Sequence, residues 1–177
     1  MFSTIMTFIN AAIIQGIPLL FGATGEIITE KSGNLNLGIP GIMYVGGISG
    51  IIGGYLYEHS TENPVPILCI LISFFSCIAG AVILSLIYSF LTISLRANQN
   101  VTGLALTTFG VGIGNFFGGS LLNFFGESGS ISLIETGKAY KTYLPIADKT
   151  GIFGQTFLSF GFLAYLAVII ALAASFV

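Results

Sequence analysis

Charged side chains are scarce in this sequence. Only 7% of its 177 residues are Asp, Glu, Lys or Arg, whereas 54% are hydrophobic, and soluble domains contain about 25% charged residues. The charged residues are clustered, so that five stretches contain none: residues 2–25, 32–57, 63–95, 97–126 and 150–177. Each stretch exceeds the roughly 20 residues that cross a bilayer as a helix. The sequence therefore predicts an all-α, polytopic membrane helix bundle with about five transmembrane segments.

The five segments fit within a single transmembrane domain over residues 1–177. We place the spans approximately at residues 2–21, 37–56, 65–95, 101–122 and 151–177. The third and fourth are long for simple spans, which leaves room for tilt or for a broken or re-entrant helix. Lys31 and Arg96 lie in short loops and favour a cytoplasmic location for those loops, with an external N-terminus.

Residues that serve catalysis or metal binding are also few. His59 is the only histidine, and Cys69 and Cys77 lie inside an apolar stretch without disulfide or metal spacing. We interpret Glu58 and Glu62 as a solvated loop face rather than an acid/base pair. We therefore expect no catalytic residue, no metal site and no enzymatic activity.

Two further absences concern ligands. The sequence has no P-loop motif, so we do not expect the chain to bind ATP or another cofactor itself. A net charge of -2 gives no basic surface, which argues against nucleic acid as a partner.

Small residues recur at every fourth position in three apolar segments. On a helix this spacing places them along one face, where small side chains allow a neighbouring backbone to approach closely. We interpret two of these sets as helix-packing glycines: Gly46, Gly50, Gly54, Gly110, Gly114 and Gly118. The third set is Ser73, Cys77, Ala81, Ser85 and Ser89.

The stretch GEIITEKSGNLNLGIPGIM, residues 25–43, places charge, amide and glycine between the first two apolar segments. It resembles the membrane-spanning permease subunits of bacterial ABC importers, in the group that serves nucleosides, ribose-like sugars and branched-chain amino acids. The matching elements are Pro18, Gly25-Glu26, Glu30-Lys31-Ser32-Gly33 and Asn36-Leu37-Gly38-Ile39-Pro40-Gly41-Ile42-Met43. Many members of that group carry glutamate where this chain has Pro40.

A second block, LRANQNVTGLALTTFGVGI, residues 95–113, looks like the family's Arg-Ala-Asn-Gln followed by Gly-Leu-Ala-Leu. Two blocks in the correct order make the resemblance specific. Permeases of this group usually have about twice this length and continue into a cytoplasmic coupling loop, so the resemblance covers what corresponds to an N-terminal half. On its own, the chain is expected not to couple ATP hydrolysis to transport.

The resemblance implies a permease component in the bacterial plasma (inner) membrane that forms part of the translocation path for nucleosides or simple sugars. It implies four kinds of partner: a cytoplasmic ATP-binding subunit that uses ATP, a second permease subunit in a homo- or heterodimer, an extracytoplasmic substrate-binding lipoprotein, and membrane lipid. Two alternatives remain from the sequence. One is a compact membrane substrate-binding module, such as the S component of an energy-coupling-factor importer. The other is a truncated, non-functional permease fragment.

We therefore interpret residues 34–43 as a re-entrant segment that returns toward the centre of the bundle, which its glycines allow. Residues 26–31 are placed at the membrane surface. Non-helical backbone at membrane depth is tolerated where it is buried or lines a cavity, and broken helices build many transporter sites. The amides suit sugar hydroxyls or base edges, although helix capping and loop hydrogen bonding are alternative roles. The candidate path residues are Asn34, Asn36, Gly38, Gly41, Asn98, Gln99, Asn100 and Thr102.

Overall fold

Helices make up nearly all of the part of the chain that the structure describes. This structure, a computed structural model, describes residues 2–124, 131–141 and 160–176. The elements in chain order are α1 (Phe2–Lys31), α2 (Ile39–Ser60), α3 (Pro66–Ser89), a π-helical segment (Phe90–Ser94), α4 (Gln99–Phe124), α5 (Ile134–Lys141) and α6 (Phe162–Ser175). These ranges contain no strand, which confirms the predicted all-α class.

Within the described ranges, four helical stretches are long and apolar enough to cross a membrane: Ile5–Lys31, Ile39–Ser60, Pro66–Ser94 and Gln99–Ser120. Helix α6 is apolar but has 14 residues, which span about 21 Å at about 1.5 Å per residue. Residues 151–159 of the fifth predicted segment lie outside the described part of the chain. The helices confirm a multi-pass membrane protein.

Helix boundaries around the first two spans differ from those inferred from hydropathy. Helix α1 continues to Lys31 instead of ending near Phe21, so the predicted surface stretch 26–31 forms its last turns. Isoleucine, glutamate and lysine are compatible with a helix there, and the helix continues through Gly22 and Gly25 to Lys31. Helix α2 begins at Ile39, with Pro40 in its first turn, where proline is well tolerated. The non-helical part of the predicted re-entry is thus only residues 34–38.

The chain forms two compact units, one containing residues 1–28 and 140–177 and the other Thr29–Ala139. In the first unit, the Tyr140 and Phe162 rings stack with centroids 5.7 Å apart, and Gly161 lies directly against the Tyr140 carbonyl oxygen. The second unit contains α2, α3, the π-helical segment and α4, and with them all candidate path residues.

Helices α2 and α3 pack through facing rows of small residues. A Cβ atom added at Gly46 would come within 3.3 Å of the Ala81 Cβ, and one at Gly50 within 3.1 Å of the Cys77 Cβ. Further along, a Cβ at Gly54 would lie 3.4 Å from the Ser73 Cβ. The rows run in opposite directions, so α2 and α3 are antiparallel neighbours in close contact.

The structure contradicts the interpretation of Glu58 as part of a solvated loop face. It lies in the last turns of α2 and its carboxylate accepts hydrogen bonds from the first backbone N–H groups of α5, at 2.9 Å from Ile134 and 3.0 Å from Glu135. Its second oxygen accepts from the Thr136 N–H at 3.2 Å and hydroxyl at 3.0 Å. A carboxylate is favourable at a helix N-terminus, where N–H groups lack partners. Glu58 therefore caps α5 and fixes it to the end of α2.

Candidate functional site

The helix break, defined as residues 32–38, begins with a Schellman ending of α1. The Gly33 N–H donates to the Glu30 carbonyl at 2.9 Å, and the Asn34 N–H donates to the Thr29 carbonyl at 3.1 Å. This geometry needs a left-handed residue after the helix, and Gly33 supplies it with φ of +83°. The glycine of the Glu-Lys-Ser-Gly element thus ends α1 and turns the chain into the break.

Asn36 organises the far end of the break. Its side-chain oxygen accepts a hydrogen bond from the Gly38 N–H at 3.0 Å, a local turn typical of Asn. The residue is only 6% exposed. The Gly38 carbonyl then accepts from the Ile42 N–H at 3.0 Å and starts α2. The amide oxygen of Asn36 therefore shapes the backbone at the entry to α2.

Helix α3 holds the break through one tyrosine. Tyr88 is 2% exposed and belongs to a core cluster with Leu84 and Leu106. Its hydroxyl donates to the Leu35 carbonyl at 2.8 Å and lies 3.4 Å from the Asn34 side-chain oxygen. Because the ring is fixed by the core, the hydroxyl has a defined position from which to hold the break.

Helix α4 holds the same segment from the other side. The Gln99 side-chain oxygen accepts from the Leu35 N–H at 3.1 Å, and the Thr107 hydroxyl donates to the Leu37 carbonyl at 2.6 Å. Between them, Gly103 lets the break pass closely, because a Cβ there would lie 2.9 Å from the Leu37 backbone nitrogen. The break is therefore bonded to α3 and α4 together.

The contacts along α4 show how deeply the break enters. Gln99 is the first residue of α4, and Thr107 lies eight positions later, which corresponds to about 12 Å along the helix axis. The break therefore runs down the first turns of α4, deeper in the bundle than the connection between α3 and α4. Its backbone groups find partners on the neighbouring helices, as non-helical backbone at membrane depth requires.

The Arg-Ala-Asn-Gln element joins α3 to α4. Arg96 adopts φ of 53°, a left-handed conformation that is uncommon outside glycine, and the Ala97 N–H bonds back to the Leu91 carbonyl at 3.0 Å. Asn98 then caps α4, because its side-chain oxygen accepts from the N–H groups two and three residues later, at 3.0 and 3.2 Å. Gln99 reaches the helix break. Each residue of this element has a structural task.

The structure places the candidate path residues in different locations. Asn34, Asn36, Gly38 and Gln99 meet at the helix break, and most of their amide oxygens are engaged there. Asn98 and Asn100 are exposed at the start of α4, and Thr102 is buried one turn further on. The capping role that the sequence left open therefore accounts for the Asn98 oxygen, whereas the Asn100 side chain stays exposed at the surface of this unit.

Gly41 lies where α2 crosses α4 with backbone against backbone. A Cβ at Gly41 would come 2.5 Å from the Leu106 carbonyl oxygen, and a Cβ at Gly110 would come 2.5 Å from the Gly41 carbonyl oxygen. Further along α4, Gly114 lies against the Tyr44 ring, whereas a Cβ added at Gly118 would make only an ordinary contact, 3.8 Å from the Ile48 Cδ1. The structure therefore places Gly41 in a helix crossing directly after the helix break.

Three residues that hold the break were not among the sequence candidates: Tyr88, Gly103 and Thr107. Gly103 belongs to the Gly-Leu-Ala-Leu element, which could have indicated its importance. Thr107 carries a hydroxyl group in an apolar segment, which could also have indicated it. Tyr88 carries no such signal. Among the described residues, no cluster of metal-binding side chains is found.

Known proteins resemble the chain over most of its length. It is 27% identical over 176 residues to a nucleoside ABC transporter permease protein of Lactococcus lactis, covering 99% of this chain and 52% of that protein. It is 26% identical over 169 residues to a guanosine ABC transporter permease protein of Bacillus subtilis, covering 96% of this chain and 49% of that protein.

A protein of Haloferax volcanii that is named as a glucose ABC transporter permease is 36% identical over 110 residues, 62% of this chain and 30% of that protein. No family model matches the chain, and no solved structure matches it. The chain is thus similar to permease proteins that are named for nucleoside and sugar ABC transporters, and it spans about half the length of the two nucleoside permeases.

Proposed function

We propose that this chain is a membrane permease component of an ABC importer and forms part of a path for nucleosides. The observation that carries the proposal is the match over 99% of the chain to a nucleoside permease. The helix break between two membrane-length helices supports it, because broken helices commonly form transporter sites. Simple sugars are the second substrate class, supported by the relative named for glucose.

The partners follow from the same proposal. A cytoplasmic ATP-binding subunit binds and hydrolyses ATP, so this chain contributes no catalytic residue and no cofactor of its own. A second permease subunit completes the path, and an extracytoplasmic substrate-binding lipoprotein delivers the substrate. Helix α5, held to the end of α2 by Glu58, belongs to the side opposite the helix break and therefore to the external side in the predicted orientation.

Uptake measurements test the proposal. The chain is expressed with the ATP-binding, lipoprotein and permease components of its own genome, in a host without nucleoside uptake, and accumulation of labelled guanosine is compared with that of glucose. We expect ATP-dependent guanosine uptake that is lost when this chain is omitted. Equal uptake without this chain would contradict the proposal, and nucleoside binding by the chain that needs no ATP-binding subunit would favour a binding module.

A second experiment addresses the path residues. Asn100 is exposed, so Asn100→Ala is expected to lower guanosine uptake severalfold without lowering the melting temperature. Asn36→Ala removes the turn at the entry to α2 and should lower both uptake and stability. Asn63→Ala, in the exposed connection after α2, is the matched control and should change neither. Unchanged uptake in both Asn36→Ala and Asn100→Ala would exclude these two side chains from the path.

A further inference from the structure

We propose that Tyr88 and Thr107 are positioning residues that hold the helix break as one unit and thereby set the affinity for substrate. We call these two hydroxyl groups the hydroxyl clamp. The affinity part of this inference rests on the proposed function, whereas the positioning part concerns the structure of the chain alone.

The clamp acts on the main chain on both sides of Asn36. The Tyr88 hydroxyl donates to the Leu35 carbonyl at 2.8 Å, and the Thr107 hydroxyl donates to the Leu37 carbonyl at 2.6 Å. The two donors belong to different helices, α3 and α4. The two bonds therefore tie the Leu35–Asn36 peptide to α3 and the Leu37–Gly38 peptide to α4, one on each side of Asn36.

The surroundings make these bonds costly to lose. Tyr88 is 2% exposed and packs with Leu84 and Leu106, so the part-buried Leu35 carbonyl would have limited access to water if this bond were lost. A buried acceptor without a partner loses far more free energy than an exposed one. The break also cannot move toward α4 to find other donors, because Gly103 already lies against it. The bonded position is thus strongly preferred.

Neither clamp residue needs to touch substrate in this arrangement. The hydroxyl of Tyr88 is directed at the backbone of the break, and that of Thr107 at the Leu37 carbonyl. Their effect on substrate passes through the break, whose candidate path residues are Asn34, Asn36 and Gly38. Removing a clamp hydroxyl should therefore loosen the break and weaken substrate binding, while the later steps of transport continue.

Hydrogen–deuterium exchange of the intact chain in nanodiscs measures the positioning directly. Tyr88→Phe and Thr107→Val each remove a hydroxyl and keep the shape of the side chain. Both hydrogen bonds are part-buried, and loss of one such bond corresponds to roughly a tenfold increase in local opening. We expect about that increase in exchange for residues 33–42, with Thr107→Ser close to the wild type because it keeps the hydroxyl.

Tyr57→Phe is the matched control. The Tyr57 hydroxyl accepts from the Val65 N–H at 3.3 Å, so it holds the connection at the other end of α2. Its loss should affect exchange around residues 61–66 and leave the helix break unchanged. Should Tyr88→Phe fail to fold, the comparison of Thr107→Val with Thr107→Ser still decides the positioning claim.

Two exchange results would overturn the positioning claim: unchanged exchange over residues 33–42, or a uniform increase through α2 and α3, which would indicate general destabilisation. The affinity claim is tested by guanosine uptake with the partner components. We expect a KM increase of severalfold at nearly constant maximal rate for both clamp variants, and an unchanged KM would overturn it. If the wild type shows no uptake, the proposed function fails, while the exchange result still decides the clamp.

Discussion

The two faces of helix α2 are built differently. Toward α3, small side chains face each other, and added Cβ atoms at Gly46 and Gly50 would lie 3.1–3.3 Å from their neighbours. Toward α4, backbone meets backbone, and a Cβ at Gly41 would come 2.5 Å from a carbonyl oxygen. At Gly46 and Gly50 a small shift of α3 can relieve contacts of this length, although Gly53 and Gly80 on the same interface lie directly against the Ser76 and Ser49 side chains. At Gly41 and Gly110 the contact is between backbone atoms, which cannot move without displacing a helix.

This difference matters for the helix break, which is bonded to α3 through Tyr88 and to α4 through Gln99 and Thr107. The crossing at Gly41 and Gly110 fixes α2 against α4, and Gly103 and Thr107 then fix the break against the preceding turns of α4. We therefore expect the α2–α4 contact at Gly41 and Gly110 to influence the depth of the break more than the α2–α3 contact at Gly46 and Gly50. Substitutions on the two faces should separate these roles.

The largest effect is expected for Gly41→Ala. Its methyl group would overlap the Leu106 carbonyl oxygen and the Thr107 Cα, and neither backbone atom can move without displacing α4. Overpacking of this kind costs about 3 kcal/mol. Thermal unfolding in detergent should show a large decrease in melting temperature. Gly47→Ala, in the same helix but with no atom within 4 Å of the added Cβ, is the control, and equal losses in both variants would disprove the rigid crossing.

Gly103→Ala should have the next largest effect. A methyl group there would lie 2.9 Å from the backbone nitrogens of Leu37 and Gly38, so the break must move away from α4. We expect a loss of about 2 kcal/mol together with faster amide exchange in residues 33–42. A loss of stability without faster exchange would show that the break is not held at this position.

Gly50→Ala probes the α3 face. Its methyl group would lie 3.1 Å from the Cys77 Cβ and from the Ser73 carbonyl oxygen, a distance that a small shift of α3 can relieve. We expect a loss of about 1 kcal/mol in unfolding experiments and unchanged exchange in the helix break. Faster exchange there would mean that the α3 face also sets the depth of the break.

The smallest effect is expected for Gly112→Ala. Nothing lies within 4 Å of the added methyl group, and alanine favours a helix over glycine by up to about 1 kcal/mol. Stability should stay constant or increase slightly. A marked decrease in the melting temperature would reveal a close neighbour on that side of α4.

The sequence alone was sufficient to predict an all-α membrane protein and its resemblance to ABC permeases. Charge-free stretches predict membrane helices because a bilayer excludes charge, and the residues around Asn36 and Asn98 form the blocks that resemble the permeases. The end of α1 was missed because hydropathy follows the apolar run, whereas the helix ends at the backbone turn of Gly33. Hydropathy does not detect such a turn.

The contacts that hold the break were mostly beyond sequence reasoning. Tyr88 bonds to a residue 53 positions away, and Glu58 caps a helix that begins 76 positions later. Pairings of that range depend on how helices pack, which no local pattern specifies. The glycine spacing predicts small helix faces, yet it does not distinguish the contact of Gly50 with α3 from the backbone contact of Gly41 with α4.

The most direct test of the central claim is amide exchange of the wild-type chain, assembled with its permease partners, with and without guanosine. If the helix break lines a nucleoside path, guanosine should slow exchange in residues 33–42 and leave the connection at residues 61–66 unchanged. Equal exchange in residues 33–42 with and without guanosine, under conditions where the assembly binds the nucleoside, would contradict the claim.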